Sequence, residues 1–282
     1  MNPITENDIE QIAIQYLQEL GYGYVAGPDI SPDGINPERE YGEVVLIARL
    51  REAIRRLNPG IVEDAREDAL KKLLRADSPN PVVNNENFHH YLTEEIDIEQ
   101  RTATGIRGNK VNIIDFDNPE NNEFLVVNQF TIVENNQNKR PDVILFVNGL
   151  PLVVIELKNA ADESATVKTA FKQLQTYKQT IPSLFCYNCL MIASDAWDAS
   201  YGTITSDWSR FTAWKTKDGK TTADTLQPQM EIMFRGMLNK VVLLDLIKHF
   251  TVFEKSKDKI LKKIAAYHQY YAVNKAVATT QK

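Results

Sequence analysis

The spacing of apolar residues changes twice along the chain. Up to about residue 76 the apolar positions recur every three or four residues, which predicts amphipathic helices. From about residue 110 they form runs rich in valine and isoleucine, which predict strands, and from about residue 222 the helical period returns. This order predicts an α/β protein. The predicted helices are 6–20, 43–57, 61–76 and 163–179, and the predicted strands are 111–116, 124–133, 143–147, 150–157 and 185–193.

Two of the strand-like runs form the most apolar part of the chain. They cover 143–147 and 150–155 and are separated by Asn148-Gly149, the strongest short-range signal for a β-hairpin. Ionisable residues interrupt the apolar pattern where the first run begins and where the second ends. Because a hairpin brings its open ends together, these residues should meet at one end of a sheet. They are Asp142, Glu156 and Lys158.

The length of the hairpin loop decides which way these side chains face. With a two-residue loop, Asp142 would face away from Glu156, because side chains alternate along a strand. A three-residue loop, 147–149, with its last residue as a G1 bulge, pairs Asp142 with Val154 instead. Asp142 then shares a face with Glu156 and Lys158. We predict the three-residue loop.

Two carboxylates and a lysine on one sheet face suit a hard divalent cation, with the ammonium beside it to stabilise negative charge. Solvated strand ends carry the same residue types, and on spacing alone this alternative stays open. Asp115 and Asp117 form a second acidic pair and a rival metal site. No basic residue accompanies them, which favours a scaffold role.

The wider sequence resembles a known nuclease family. Pro-Asp at 141–142, about a dozen mostly apolar residues and then Glu-x-Lys at 156–158 is the signature of the PD-(D/E)xK nucleases. The segments IDFDNPENNEFLVVNQFTIVE and RPDVILFVNGLPLVVIELKNA resemble the amino-terminal part of the R (HsdR) subunit of type I restriction-modification enzymes. This resemblance extends from Thr5 to Val277. It implies a restriction-endonuclease-like α/β fold, with a mixed sheet flanked by helices.

The resemblance also implies a chemistry and a set of partners. Asp142 and Glu156 would bind Mg²⁺, and Lys158 would position the attacking water or stabilise the transition state during cleavage of double-stranded DNA. In this family, cleavage follows ATP-driven translocation and is directed by methyltransferase (M) and specificity (S) subunits. A catalytically silent assembly platform and a RecB-like repair nuclease are the alternatives. The segments IDFDNPENNEF and AYHQYYAVNK argue against the repair nuclease, because the core chemistry does not require them.

The first predicted helix offers a further acid. Thr5 is a plausible N-cap and Gly21 ends the helix, with Glu10 beside the apolar stripe. In many PD-(D/E)xK nucleases a glutamate on the first helix joins the metal site, and Glu10 matches its placement. Glu6 is a competing candidate, and a solvated helical glutamate is the alternative for either residue.

The helix that follows the hairpin carries Gln173 and Tyr177. They are four residues apart and project from nearly the same face. From the spacing of apolar residues along the helix alone, Tyr177 is a core aromatic and Gln173 a surface residue. The pair resembles the Gln-x-x-x-Tyr motif of RecB-like nucleases, which implies that both lie by the active site.

The last sixty residues resemble the segment that precedes a superfamily 2 helicase motor. We expect a nuclease-like domain over 1–221, and over 222–282 a helical linker with the leading edge of a truncated motor. The resemblance places Gln269 to read adenine, with Tyr267 close by. No G-x-x-x-x-G-K-[ST] motif occurs in the 282 residues, so we expect a fragment that cannot hydrolyse ATP by itself.

The composition also indicates where in the cell the protein works and how its charge is distributed along the chain. The net charge is −6, yet residues 1–70 carry 6 basic and 14 acidic side chains whereas residues 210–282 carry 14 basic and 6 acidic. This polarity could give DNA a favoured side of approach, and an asymmetric solvated surface is the equal alternative. No apolar stretch is long enough to span a membrane and the first residues are acidic, so we expect a cytoplasmic protein. Cys186 and Cys189 are predicted to be structural and reduced.

Overall fold

The computed structural model describes residues 5–102, 105–159, 166–224, 226–257 and 259–280. Its helices are α1 (Glu6–Glu19), α2 (Ile47–Leu57), α3 (Glu63–Leu73), α4 (Pro81–Glu94), α5 (Val167–Thr180), α6 (Pro182–Cys186), α7 (Gln229–Met237), α8 (Lys240–His249) and α9 (Tyr267–Thr280). Its strands are β1 (Gly23–Ala26), β2 (Ile96–Thr102), β3 (Gly105–Val111), β4 (Phe124–Asn128), β5 (Ile132–Glu134), β6 (Gln137–Lys139), β7 (Val143–Val147), β8 (Leu150–Leu157), β9 (Leu190–Ser194), β10 (Ala199–Gly202), β11 (Thr251–Lys255) and β12 (Ile260–Ile264).

Six strands form the central sheet, in the order β1-β4-β7-β8-β9-β10. β1 is parallel to β4 and β8 is parallel to β9, whereas the other neighbouring strands are antiparallel. Every residue of β4, β7, β8 and β9 is buried, which explains why they read as continuous apolar runs. α1 packs on β1, β4 and β8, and α5 packs on β8 and β9. The predicted α/β class with a mixed sheet flanked by helices is confirmed.

The β7–β8 hairpin has its irregularity at a different place from the one predicted. Its turn contains only Asn148 and Gly149, with φ of 50° and 79°, and Val147 pairs directly with Leu150. The predicted three-residue loop is therefore wrong. Asn148 and Gly149 both tolerate the left-handed conformation that a tight two-residue turn requires, so the turn needs no third residue.

The extra residue lies inside β8 instead. The pairing shifts between Leu145 and Phe146, which leaves Leu152 unpaired opposite β7 as a β-bulge. Leu152 still uses its carbonyl oxygen, which accepts a hydrogen bond from the main-chain N–H of Cys189 at 2.7 Å. Beyond the bulge, Val143 pairs with Ile155. The next opposed positions belong to the two carboxylates of the predicted site, so their side chains share a face.

The hairpin turn is buried and its asparagine side chain is fully hydrogen-bonded. Asn148 Oδ1 accepts from the main-chain N–H of Glu123 at 2.9 Å. Its Nδ2 atom donates to the carbonyl oxygen of Ile113 at 2.9 Å and to the side chain of Asn122 at 2.8 Å. Asn148 therefore holds both the turn and the loop that packs on it.

Helix α4 occupies a segment that the sequence predicts to be a polar loop, 77–87. Asn80 caps this helix by accepting from the main-chain N–H of Val82 at 3.0 Å, and Pro81 occupies its first position, where a missing N–H costs nothing. The buried side chains of its first two turns are Asn84 and Asn85, so the segment has little of the apolar period that marks a helix.

Three predicted strands also differ. The segment 124–133 is divided between β4, in the central sheet, and β5, which pairs with β6 in a separate sheet. The segment 111–116 is not a strand, because β3 ends at Val111. The segment 185–193 begins as helix α6, and β9 starts only at Leu190. Cys186 and Cys189 on either side of this change are buried free thiols whose pKa is raised by burial, in keeping with a structural role.

The C-terminal part contains a β-hairpin, β11–β12, where the sequence predicts helix. Lys262 on β12 is buried, and its Nζ atom donates to Asn85 Oδ1 at 2.9 Å and to the carbonyl oxygen of Asn188 at 3.0 Å. Burial lowers the pKa of Lys262 to about 8. These long-range contacts, which no local pattern encodes, attach the hairpin to α4.

Helix α7 packs on α1. Arg235 on α7 forms an ion pair with Glu19 at 2.6 Å, and the hydroxyl of Tyr22 donates to the carbonyl oxygen of Leu238 at 2.9 Å. The first helix after the predicted boundary at 221/222 thus shares the core of the residues before it, and the two-part division stays a prediction. None of the described helices is long and apolar enough to cross a membrane.

We expect Asn148→Ala to lower the free energy of unfolding by about 3 kcal/mol. The substitution leaves a buried N–H and a buried carbonyl without partners and puts alanine at a left-handed position. Urea unfolding followed by circular dichroism measures the change. Asn138→Ala, at an exposed position of β6, is the matched control and should change the value by less than about 0.5 kcal/mol. Equal midpoints for the two variants would contradict the role of Asn148.

Candidate active site

Asp142 and Glu156 lie side by side where β7 begins and β8 ends. Asp142 Oδ2 accepts a hydrogen bond from the main-chain N–H of Leu157 at 2.8 Å. Lys158 donates from Nζ to Glu156 Oε1 at 3.1 Å, and its main-chain N–H donates to the carbonyl oxygen of Ser194 at 2.9 Å. The structure thus brings the two acids and the lysine together at one end of the central strands.

Burial dominates the electrostatics of this cluster. It raises the pKa of Asp142 to about 6, although the hydrogen bond from Leu157 acts in the opposite direction. Burial, together with the charge of Asp142, raises the pKa of Glu156 to about 8. Burial disfavours the ammonium of Lys158, but the neighbouring carboxylates outweigh it and raise the pKa of this lysine. Near neutral pH the cluster therefore contains a charged lysine and a carboxyl pair that keeps one proton, mainly on Glu156.

One oxygen of Glu156 has no donor. Oε1 accepts from Lys158, whereas Oε2 is buried and no group in the described part of the chain donates to it. A buried carboxylate oxygen in this state is stabilised by a proton, a bound water or a cation. Asp142 and Glu156 present oxygen atoms, the ligand type that Mg²⁺ prefers. The donor set therefore fits a hard divalent cation.

Helix α1 directs its first turn at the cluster. Thr5 caps the helix, as the sequence predicts, and forms a capping box with Asp8. Glu6 places Oε1 at 3.5 Å from the Nζ atom of Lys158. Its charge adds to the rise in the pKa of Asp142 that burial causes. Glu6 therefore contributes to the field at the site although its side chain is half exposed.

Glu10 lies one turn later on α1 and is buried. Its two oxygens accept hydrogen bonds from the side-chain amides of Asn128, at 2.7 Å, and Gln129. Among the described residues, no three His, Cys, Asp or Glu side chains lie close enough together to hold a metal ion. The metal-ligand role of Glu10 stays a prediction.

The sequence reasoning missed Asn128 and Gln129. Their only signal in the chain is a pair of amides directly after the apolar run 124–127. Such a pair reads as the polar end of a strand, and its acidic partner on α1 is more than a hundred residues away.

Helix α5 supplies Gln173 and Tyr177. The hydroxyl of Tyr177 lies 3.4 Å from the carbonyl oxygen of Arg140 and interacts with the side chains of Gln173 and Glu156. Burial and the charge of Glu156 raise the pKa of Tyr177 far above its usual value, so the hydroxyl keeps its proton. The predicted Gln-x-x-x-Tyr pair therefore faces the acidic cluster.

The remaining candidate residues occupy other places. Asp115 accepts from the main-chain N–H of Asn118 at 2.8 Å and organises a loop, which agrees with the scaffold interpretation. Gln269 caps the start of α9 by accepting from a main-chain N–H at 2.9 Å. Tyr267 packs on Trp214 with 6.4 Å between ring centroids. The adenine-binding role expected of Gln269 and Tyr267 stays a prediction.

We expect Glu156→Gln to stabilise the protein at pH 8 and to change little at pH 4.5, in the presence of EDTA. An unfolded glutamate loses its proton near its ordinary pKa of 4.5, whereas folded Glu156 retains it up to about pH 8. The unmodified protein therefore loses stability as the pH rises through this window, and a neutral glutamine does not. The gain at pH 8 should be about 1–3 kcal/mol in urea unfolding.

The control for this measurement is Glu63→Gln, an exposed position in the first turn of α3. Because this side chain is exposed, its exchange should give no comparable gain at pH 8 over pH 4.5. A Glu156→Gln gain of equal size at pH 4.5 and pH 8 would show that the carboxyl group is not destabilised by burial.

Comparison with known proteins gives a consistent family. The family described as "Type I restriction enzyme R protein N terminus" matches residues 3–210. The HindI endonuclease subunit of a type I restriction enzyme from Haemophilus influenzae is 41% identical over 98% of this chain and 27% of its own length. A putative type I endonuclease subunit, MjaIXP from Methanocaldococcus jannaschii, is 30% identical over 97% of this chain and 27% of its own length.

The chain spans about a quarter of the length of these two relatives. A third, the EcoprrI endonuclease subunit from Escherichia coli, is 24% identical over 90% of this chain and 76% of the relative. The family match covers the sheet, α1, α5 and the acidic cluster between them. The chain belongs to the family formed by the N-terminal region of type I restriction enzyme R proteins.

Proposed function

We propose that the chain is the nuclease domain of a type I restriction enzyme and hydrolyses phosphodiesters of double-stranded DNA with Mg²⁺ held by Asp142 and Glu156. The observation that carries this proposal is the buried Oε2 atom of Glu156, which has no donor in the described residues and lies beside Asp142 and Lys158. The core elements follow each other along the chain as α1, β4, β7, β8, α5 and β9, with other elements between some of them. Asp142 directly precedes β7, and Glu156 and Lys158 lie at the end of β8. This arrangement supports a PD-(D/E)xK fold.

Each side chain of the cluster has a role that follows from its surroundings. Bound there, Mg²⁺ would act as a Lewis acid on the phosphate and lower the pKa of a coordinated water. Asp142 and Glu156 must first lose the protons that burial favours. Lys158 is an ammonium, because its pKa is raised, and so it is suited to stabilise negative charge on a phosphate rather than to accept a proton. Tyr177 keeps its proton and lies next to Glu156.

The activity of the whole subunit forms a further part of the proposal. The relatives are endonuclease subunits of type I restriction enzymes, and this chain corresponds to about a quarter of two of them. We propose that cleavage follows ATP-driven translocation by the remaining parts, and that methyltransferase and specificity subunits direct it. Gln269 and Tyr267 would then serve the ATP site of the complete protein.

We expect Asp142→Ala to abolish Mn²⁺ binding by the 282-residue chain, because the substitution removes one of two carboxylate ligands. Isothermal calorimetry measures the binding, and circular dichroism confirms that the variant folds. Asp117→Ala is the matched control, since Asp117 is an exposed carboxylate whose partner is Lys248 at 3.8 Å. It should bind Mn²⁺ like the unmodified chain.

Other results would overturn parts of this proposal. Loss of binding in Asp117→Ala but not in Asp142→Ala would move the metal to the rival acidic pair. Absence of binding by the unmodified chain would contradict a preformed site. Cleavage by the complete complex carrying Asp142→Ala would then favour the alternative of a nuclease-like assembly platform.

We expect Mn²⁺ affinity to increase by about 10- to 100-fold between pH 6 and pH 8. The raised pKa values, about 6 for Asp142 and about 8 for Glu156, mean that the cation must displace protons over this range. Calorimetry in two buffers of different ionisation enthalpy measures the affinity and the protons released. Affinity that is independent of pH, without proton release, would place the cation elsewhere.

A further inference from the structure

Asn128, the last residue of β4, and the following Gln129 contact both Glu10 on α1 and the main chain at Asp142. Asn128 Nδ2 donates to Glu10 Oε1 at 2.7 Å, and Gln129 Nε2 donates to Glu10 Oε2. The main-chain N–H of Gln129 donates to the carbonyl oxygen of Asp142 at 2.9 Å. Two adjacent residues therefore connect the glutamate of α1 with Asp142, the residue that directly precedes β7.

The contacts to Glu10 are buried and have a defined orientation. Glu10 is 5% exposed and Asn128 is 8% exposed. The hydroxyl of Tyr24 donates to Asn128 Oδ1 at 3.1 Å, so the NH₂ group of Asn128 must face the carboxylate. A carboxylate only accepts hydrogen bonds, which imposes the same orientation on the amide of Gln129. Each oxygen of Glu10 therefore has one amide donor.

The backbone at Gln129 is unusual. Its φ is 52°, in the left-handed region that residues with a long side chain rarely adopt. Such conformations persist where the surrounding structure determines them, and they cluster at functional sites. Here the turn lets one residue bond Glu10 through its side chain and Asp142 through its main chain. The same residue in an extended conformation would continue β4 past the site.

We propose that Asn128 and Gln129 are positioning residues that fix the carboxylate of Glu10 relative to Asp142 and Glu156 for cation binding. This inference rests on the proposed function of the acidic cluster and on the predicted role of Glu10 at the cation site; the charge of Glu10 already contributes to the raised pKa of Asp142. Each oxygen of an ionised carboxylate accepts two hydrogen bonds, so one lone pair on each oxygen of Glu10 stays available to the cation or its water. Partners of this kind orient metal-binding groups, and their removal typically reduces metal affinity about 10- to 100-fold.

The test measures Mn²⁺ binding to the 282-residue chain carrying Gln129→Met by isothermal calorimetry. Methionine keeps the length of the side chain and removes the amide, and we expect the dissociation constant to rise about tenfold. Gln129→Gly is the second variant, because glycine adopts a φ of 52° without strain and keeps the turn. Gln137→Met, at an exposed position of β6, is the matched control and should leave binding unchanged.

A double-mutant cycle with Glu10→Gln separates positioning from a general structural effect. If Gln129 acts through Glu10, then Gln129→Met should change the dissociation constant less than twofold in the Glu10→Gln background. A tenfold loss that persists in this background would overturn the proposal. Unchanged binding in Gln129→Met and Gln129→Gly would also overturn it.

These outcomes are distinct from those that test the nuclease proposal. Binding that is lost in Asp142→Ala but retained in both Gln129 variants supports the metal site and excludes the positioning role. Absence of Mn²⁺ binding by the unmodified chain counts against both. Circular dichroism and thermal unfolding of each variant identify any loss of affinity that comes from unfolding.

Discussion

The burial of two neighbouring carboxyl groups, Asp142 and Glu156, constrains which charged and hydrogen-bonding groups must lie beside them. Burial alone moves the pKa of Asp142 and Glu156 upward, because a low-dielectric surrounding penalises the charged form. The ammonium of Lys158 and the main-chain N–H of Leu157 offset part of this penalty, yet no group among the described residues donates to Oε2 of Glu156. A fold that served only stability would pair this atom or replace it. The cation site proposed here rests on this atom.

Whether these two carboxylates lie on the same face of the sheet depends on whether the number of residues between them is odd or even, because side chains alternate between faces. An extra residue somewhere between Asp142 and Glu156 is required for a shared face, and the sequence alone is sufficient to predict that requirement. The sequence alone does not predict where in the hairpin this extra residue lies. Asn148 and Gly149 satisfy a two-residue turn by themselves, whereas Pro151 lacks an N–H and weakens the ladder beside it. The bulge therefore lies in the strand rather than in the turn.

Some parts of the fold could not be predicted from the local spacing of apolar and polar residues. The apolar runs of the sheet, the capped first helix and the acids with their lysine follow from residue types and spacing. Helix α4 and the hairpin β11–β12 depend on contacts between distant segments, such as the bond from Lys262 to Asn85, 177 residues apart in the chain. The amides that hold Glu10 are 118 and 119 residues from it. No periodicity within a single element encodes such pairs.

Helix α1 connects the site to the helices that follow the sheet. Glu10 and Glu19 are nine residues apart on one helix, which corresponds to roughly 13 Å of stiff rod. One end is tied to β4 through the amides, and the other is tied to α7 through Arg235 and the neighbouring bond of Tyr22 to Leu238. A displacement of α7 along this axis must either break the ion pair or carry α1 with it. Helix α1 thus links Glu10, through contacts at its two halves, to a helix that lies beyond residue 221.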